Sequence, residues 1–572
     1  LCGLFADVLG LDHVTIDDNF FTLGGDSIMS IQLAGRARRA GFAVSPRDVF
    51  EYPDVVSLAA AAADLDDERA EPPGAGVGEV LPTPVIRWFA ELGGPVDRFN
   101  QSRLLHAPAG ADLATLTATL QALLDHHDAL RLRVEISPPA TADAPDPECR
   151  LSVPEPGSVR AADCLRRIDA TGVDASGYDE LVRSEAVAAR ERLELAAGRV
   201  VQAVWFDRGP DEAGRFYLIV HHVAVDAVSW RILLPDLAEA WAAVSGGTPV
   251  RLQPTGTSFR TWSRRLTEWS RHNQRRAELD HWTTTLAGQV HRIGARPLDP
   301  SRDVVATART ITQRLPVDTT EAVLSSVPQM FHAELTDVLL TGLAVAFAVR
   351  GHADADGLLV DLEGHGREEE TIGGVDLSRT VGWFTSLYPV RLDPGDATPD
   401  DGSSLGNALK RVKEQLRAVP DRGLGYGVLR YLDPRGGERL RAARQPQIGF
   451  NYLGRITVAD PDGSPGDWSP VSGVPGSSGQ DPAMRLPHTL EIAVVTRDGS
   501  AGPQLETTWV WPRDLLPEAD VRDIVAAWFE ALAALAGHAQ RAGGGFTPSD
   551  VALTGLSQDE IDLLEAEWRT DE

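Results

Sequence analysis

One break dominates the sequence. After Leu65 the chain runs through Asp66-Asp67-Glu68-Arg69 into Glu71-Pro72-Pro73-Gly74-Ala75-Gly76-Val77-Gly78, where charge, proline and glycine leave no room for a regular helix or strand. The stretch reads as a linker over residues 66–80, dividing about 65 residues from a body of nearly 500. At roughly 100 to 200 residues per domain, the 572 residues suggest three or four folding units. The chain opens on Leu1-Cys2-Gly3, without a start methionine or secretory leader, so it is expected to be part of something longer, its first helix truncated.

The two sides of the break follow different periods. Before it, helical spacing runs through Leu4, Phe5, Val8 and Leu9, then from Ile28 through Ile31 to Ala37, then from Val55 to Leu65 behind Asp54, with no competing strand alternation. This predicts a small helical bundle over 1–65. The body mixes periods: Arg215 to Val220 and Leu358 to Leu362 are strand-like, whereas Leu113 to Asp125, Tyr178 to Leu195 and Val521 to Ala536 are helix-like, predicting an α/β fold. The Pro-, Gly- and Ser-rich stretches Ser137 to Pro147 and Pro461 to Pro482 read as surface excursions.

Composition removes several function classes. A net charge of −29 repels polyanions, so nucleic acid is excluded as a partner. The longest apolar stretch, Val338 to Val349, contains Thr341 and Gly342 and falls short of the roughly 20 residues that cross a bilayer, so no membrane span is expected. Cys2, Cys149 and Cys164 are too few and too scattered for a disulfide framework or a CxxC metal site, as in a reducing cytosol, and a cytoplasmic location is expected.

Three segments carry chemistry. Leu23-Gly24-Gly25-Asp26-Ser27-Ile28 puts a serine where a glycine turn becomes a helix, whose N-terminal N–H groups and dipole favour a phosphate ester; plain helix capping by Ser27 or Asp26 is the alternative. His221-His222-Val223-Ala224-Val225-Asp226-Ala227-Val228-Ser229-Trp230 ends a strand, so one histidine can be reactive while the other packs, and Asp226 can cap a helix from Ala227 or meet an arginine. Zinc is disfavoured, since no further ligand stands at a suitable spacing. A second pair, His126-His127, falls at a helix end, so a double histidine by itself is not specific. Glu363-Gly364-His365-Gly366-Arg367-Glu368 ends the strand Leu358 to Leu362, where a carboxylate projecting into a cleft would be a stronger base; an exposed charged loop is the alternative.

The stretch Val14 to Leu33 closely resembles the peptidyl carrier domains of nonribosomal peptide synthetases, and Asp26, where many carriers have histidine, is similar to carriers that serve epimerization domains. The string His-His-x-x-x-Asp-x-Val-Ser-Trp resembles the signature of epimerization domains, relatives of condensation domains in the chloramphenicol-acetyltransferase-like superfamily; condensation domains usually have glycine where Ala227 stands. Pro84 to Phe89, the Glu363 loop, Arg379 to Ser386, Gly423 to Gly427 and Phe450 to Arg455 follow in the same order, and Thr547 to Trp568 resembles a connector to a following condensation domain.

The resemblance implies a four-helix-bundle carrier over 1–65, a two-lobed α/β epimerization domain over 81–545 (N-lobe about 81–255, C-lobe about 256–545) and a connector over 546–572. It implies 4′-phosphopantetheine on Ser27, placed there by a phosphopantetheinyl transferase, no metal, and adenylation and condensation neighbours upstream and downstream. The activity implied is inversion at Cα of a carrier-bound aminoacyl or peptidyl thioester, with His222 and Glu363 as the acid/base pair. His221 and Asp226 support them, Asp226 through an arginine such as Arg379, while Tyr426 and Asn451 are hydrogen-bond donors for the enolate oxygen or the arm. The alternatives are a condensation domain using the same histidine, and a silent condensation-like module that recruits tailoring enzymes.

Overall fold

The computed structural model describes all residues except 26, 65–70, 73, 139–146, 354–355, 458–465, 472–478, 500, 543, 552–554 and 571–572. Four helices build the first unit: α1 (Cys2–Leu9), α2 (Ser27–Arg39), α3 (Pro46–Glu51) and α4 (Val55–Ala61). Ser45 and Asp54 accept the otherwise free N–H groups of Asp48 at 3.1 Å and Ser57 at 2.8 Å, starting α3 and α4. The apolar faces meet at Phe5, Phe20, Leu33, Val49 and Leu58, all fully buried. A ribbon of two-residue strands, β1 (Phe42–Ala43) and β2 (Ala63–Asp64), completes the unit. The sequence pattern predicted helices alone, because two residues are too few for alternation to register.

The linker is shorter than predicted. Residues 78–80 form β3 (Gly78–Val80), which pairs antiparallel with residues 151–153. Arg260 donates to the carbonyls of Glu79 at 2.9 Å and Ala75 at 3.1 Å, so partners distant in sequence supply the order that local composition does not.

The body holds two groups of sheets. In the first half β4 (Asn100–Ala107), β5 (Arg133–Ser137), β6 (Glu148–Val153), β7 (Leu165–Asp169), β8 (Val201–Asp207) and β9 (Gly214–His221) join β3 in a three-stranded sheet, β3-β6-β5, and a four-stranded sheet, β4-β9-β8-β7. Helices Leu113–His126 and Ala227–Ser245 bury Leu120, Leu124, Trp230 and Leu233 against Phe216, Leu218 and Val220 of β9. Most of the Ser137 to Pro147 stretch lies outside the described residues.

The second half contributes β10 (Ala308–Arg314), β11 (Leu358–Gly364), β12 (Ser386–Leu392), β13 (Ile448–Thr457), β14 (Leu490–Gly499) and β15 (Gly502–Pro512), in the order β10-β15-β14-β13-β11-β12. The central pairs β11–β13 and β13–β14 are parallel and the others antiparallel. The apolar helix Leu335–Val349 is buried on this sheet with Glu518–Ala542. Among the described residues no single helix is long and apolar enough to cross a membrane.

The predicted excursion Pro461 to Pro482 is not one. Its described parts cross to the first half, where Asn100 bridges Gly479, Leu105 bridges Pro470, and Trp468 is buried against Phe216 and Trp241. Its glycine and proline content hid a segment that completes the open edge of β4. Near the C-terminus, helix Gln558–Thr570 and the turn before it are held by Lys410 to Asp562 at 2.7 Å and by Lys413 to Asp550 at 2.6 Å.

Candidate active site

β9 ends at His221, and the next three residues make a turn of 3-10 helix, which breaks the alternation and brings both imidazoles near Phe99. His221 is fully buried. Its Nδ1 accepts the Val223 N–H at 3.1 Å, so its proton is on Nε2, donated to the Val96 carbonyl at 2.7 Å. Burial pushes its pKa down to about 3, leaving a neutral packing residue.

His222 is the less enclosed member of the pair. Its ring stacks on Phe99, with centroids 4.7 Å apart, and leans on Trp383 at 4.6 Å. Its Nε2 is 2.9 Å from Gln101 Nε2, and the Gln101 carbonyl accepts the Trp230 indole N–H at 2.7 Å. The indole turns the amide so that Gln101 donates to His222, which places the imidazole proton on Nδ1 and the basic lone pair on Nε2. Burial lowers the His222 pKa to about 4, against weaker raising by backbone carbonyls and Asp226.

Asp226 caps helix Ala227–Ser245, accepting the Ser229 N–H at 2.7 Å and its hydroxyl at 2.8 Å. Its charge is met by Arg367, whose Nη2 lies 3.1 Å from both carboxylate oxygens. Arg379, the partner suggested by the sequence, pairs instead with Asp236 at 2.6 Å, and Asp236 also receives His127 at 3.0 Å. The correction is geometric: Arg367 comes from the glutamate loop itself, donates also to the carbonyls of Leu377 and Thr380, and lies 3.9 Å over the Phe384 ring. His126, His127 and Asp236 are the group of described residues whose atoms could converge on a cation; it shares no residue with the His221-His222 pair.

Glu363 stands at the end of β11, opposite Leu387 of β12, and its side chain reaches solvent. Asn451 of β13 donates to its Oε2 at 2.6 Å. The surrounding strand ends still crowd the carboxyl group, and this desolvation raises its pKa to about 7, with Glu491 and Asp361 adding to the rise and His488 opposing it. His365, within the same loop, accepts the Arg367 N–H on Nδ1 at 3.0 Å and is held neutral by burial, its pKa lowered to about 3. Tyr426 is buried with Trp282 and Leu429, and its hydroxyl reaches Gln445 at 3.4 Å. Of the two donors suggested by the sequence, Asn451 is therefore the one at Glu363.

The histidine and glutamate loops are joined twice. Trp383 touches His222, and three residues later Ser386 pairs with Gly364, next to Glu363. Asp226 and Arg367 form the second tie. A cleft opens beside this segment, lined by Trp88, Trp262, Trp383, Phe384, Ser386 and Tyr431 among others.

The helical unit rests on the same loop. Arg38 of α2 donates to Glu369 at 2.6 Å and Asp376 at 2.7 Å, and Ser45 meets Glu370. Ser27 opens α2, and Asp26 lies outside the described residues. Gly24, at φ 98°, lies so close to Arg455 that a Cβ would collide with the guanidinium. Arg455 is itself paired with Asp498 at 2.7 Å, and a helix N-terminus behind a glycine turn is the kind of place a phosphodiester fits.

Sequence reading overlooked Gln101, Trp230 as its orienter, Arg367 as the partner of Asp226, and His488. Trp230 and Arg367 stand inside the segments already singled out, but their roles, like those of Gln101 and His488, come from partners distant in sequence.

Comparison with known proteins agrees with this layout. A family model described as a condensation domain matches residues 86–465, and one described as a phosphopantetheine attachment site matches residues 1–62. The chain thus belongs to the condensation-domain family, with a phosphopantetheine attachment domain ahead of it. A linear gramicidin synthase polypeptide of Brevibacillus parabrevis is 37% identical over 98% of this chain, and surfactin synthase subunit 1 of Bacillus subtilis 32% identical over 99%. The chain spans only 7% and 15% of those two proteins. Among solved structures, the epimerization domain from the third module of tyrocidine synthetase B superposes with a TM-score of 0.67 at 26% identity, covering 83% of this chain and 99% of that one. The X-domain in complex with OxyB from teicoplanin biosynthesis gives 0.58 at 19%, covering 83% and 95%, a likeness of fold alone.

Proposed function

We propose that this chain inverts Cα of an L-aminoacyl or peptidyl thioester carried on a phosphopantetheine arm at Ser27, within a nonribosomal peptide synthetase. The observation that carries the reading is a pair of unlike acid/base groups on loops tied together by Asp226 and Arg367: neutral His222 and a Glu363 whose pKa is raised to about 7. The arm supplies a thioester, which acidifies the Cα proton. Glu363 is the stronger base of the two and can take that proton. His222 then takes a proton from solvent water and, as the stronger acid, passes it to the opposite face of the enolate, while Glu363 releases the abstracted proton to solvent. His222 accepts a proton on Nε2 in place of the Gln101 N–H. The residue boundaries that go with this reading are a carrier to Leu65, a catalytic body to about 545 and a connector after it, between adenylation and condensation neighbours.

Amide formation is the second reading, favoured by the condensation-domain match itself. Two features weigh against it: Ala227 stands where condensation domains usually have glycine, and peptide-bond formation has no use for a second acid/base group at Glu363. The experiment is to load Ser27 with an L-aminoacyl or peptidyl pantetheine in D2O. Inversion predicts deuterium at Cα and a D/L mixture on release, lowered by roughly 10²- to 10⁴-fold in Glu363→Gln and in His222→Ala. Condensation predicts an amide only when donor and acceptor carriers are both supplied, and no exchange at Cα with one carrier. Normal exchange in both variants would remove the site assignment.

A further inference from the structure

Asp361, Gly449 and Glu491 stand in one row across the neighbouring strands β11, β13 and β14. His488 lies over the middle of that row. Its Nδ1 is 2.6 Å from Glu491 and its Nε2 2.8 Å from Asp361. Gly449 leaves the space: a Cβ there would sit 2.7 Å from His488 Nδ1 and 2.6 Å from Glu491 Oε2. Both ring nitrogens face carboxylates, which only accept, so both carry protons and the ring is an imidazolium. Burial would discharge it, but Glu491 and Asp361 prevail and raise its pKa to about 10.

Two residues further along β11 and β13, on the same faces, stand Glu363 and Asn451, joined at 2.6 Å. Asp361 therefore stands one pleat repeat, about 6.6 Å, back along β11 from the candidate base, and His488 and Glu491 lie farther off toward β13 and β14. The charges that act on Glu363 are Glu491 of β14 and Asp361 of its own strand, which disfavour its ionisation, and His488, which favours it. Asn451 of β13 contributes a neutral donor, and β12 places uncharged Leu387 opposite.

We propose that Asp361, His488 and Glu491 form a charged clasp that holds β11, β13 and β14 in register beneath Glu363 and sets the field in which Glu363 exchanges its proton. His488 is a positioning residue; it acts on the reaction through Glu363. The clasp deepens the epimerase reading and rests on it for its purpose, though its electrostatics can be read without turnover.

The test is an infrared pH titration of the whole chain, following the protonated-carboxyl band that Glu363→Gln removes, alongside the pH profile of Cα exchange on the loaded carrier. Glu491→Gln keeps an acceptor for His488 but deletes a negative charge, so the Glu363 titration moves down by about one pH unit. His488→Gln deletes the positive charge, so the titration moves up by a similar amount. The acid limb of kcat follows in each case while KM is unchanged. A titration that stays put in either variant, or that moves the same way in both, overturns the clasp, since a purely structural role shifts neither. Should His488→Gln not fold, Glu491→Gln decides alone by moving down or staying. Absence of Cα exchange in the wild type at every pH defeats the epimerase reading, and the infrared shifts still judge the clasp.

Discussion

Arg367 and Asp226 form a buried ion pair, 3.1 Å from Nη2 to each carboxylate oxygen, and each stands four residues after a candidate acid/base group, Glu363 and His222 respectively. The pair thus ties the two loops on which those groups stand, and Phe384 adds its N–H to Asp226 at 3.3 Å.

Both members are almost wholly buried, at 2% exposure for Arg367 and 5% for Asp226. Asp226→Ala strands the guanidinium and removes a helix cap, so the body loses about 3–5 kcal/mol for the orphaned charge and about 1 kcal/mol for the cap. Denaturant unfolding monitored by tryptophan fluorescence measures the loss; a change below about 1 kcal/mol would mean that the pair does not hold the loops.

Glu363→Gln should separate activity from stability. The folded pKa, about 7, lies above the ordinary value of 4.5, so the wild type gives up stability as pH rises from the ordinary to the folded value, after which the loss is complete. The variant, which cannot ionise, melts higher than wild type at pH 8, and the difference closes as pH falls below about 4.5, while exchange activity is lowered by roughly 10²- to 10⁴-fold throughout. Equal melting temperatures at pH 8 would show that Glu363 is not destabilised when charged.

Activity should rise with pH through about 7, as Glu363 ionises, whereas His222, pushed down to about 4, stays neutral over that range and adds no limb of its own. An acid limb near pH 7 that persists in Glu363→Asp at altered position and disappears from the residual activity of Glu363→Gln is the expected profile, measured as Cα deuterium uptake.

Gln101→Leu removes the N–H that meets His222 Nε2 and leaves the Trp230 indole without its acceptor. The exchange rate should fall by about tenfold, the worth of one well-placed hydrogen bond, and the nitrogen NMR shifts of His222 should show a mixture of tautomers. A single unchanged tautomer would place its control elsewhere.

Arg38→Glu reverses a charge that faces Glu369 and Asp376. Exchange of a substrate tethered to Ser27 should fall on the order of tenfold and become salt-sensitive, while a free thioester is processed unchanged. Equal losses for both substrates would show that the contact shapes the site rather than the docking.

Much of this molecule was legible in short windows. The helices over 113–126 and 518–542, the strands ending at His221 and Gly364, and Asp226 as a helix cap all follow from periodicities and residue types that a chain expresses within a dozen positions. That one of His221 and His222 would pack was readable from their place at a strand end, whereas the arrival of both rings at Phe99 was not, because the strand stops at His221. By contrast, β1 and β2 are too short to show a period, and the strand at residues 78–80 is ordered by contacts from Arg260.

The partnerships were decided only by the tertiary structure. Asp226 meets Arg367 across 141 positions, Asn451 meets Glu363 across 88, and His488 meets Asp361 across 127. Each depends on which strands become neighbours: β11, β13 and β14 lie side by side although helices and long crossings separate them in the chain. A lone histidine or arginine carries no mark of its eventual partner, because the charge it will feel is set by distance and burial in the folded chain. Residue types and their short-range spacing determined which chemistry is available; the pairing of distant strands determined which groups share it.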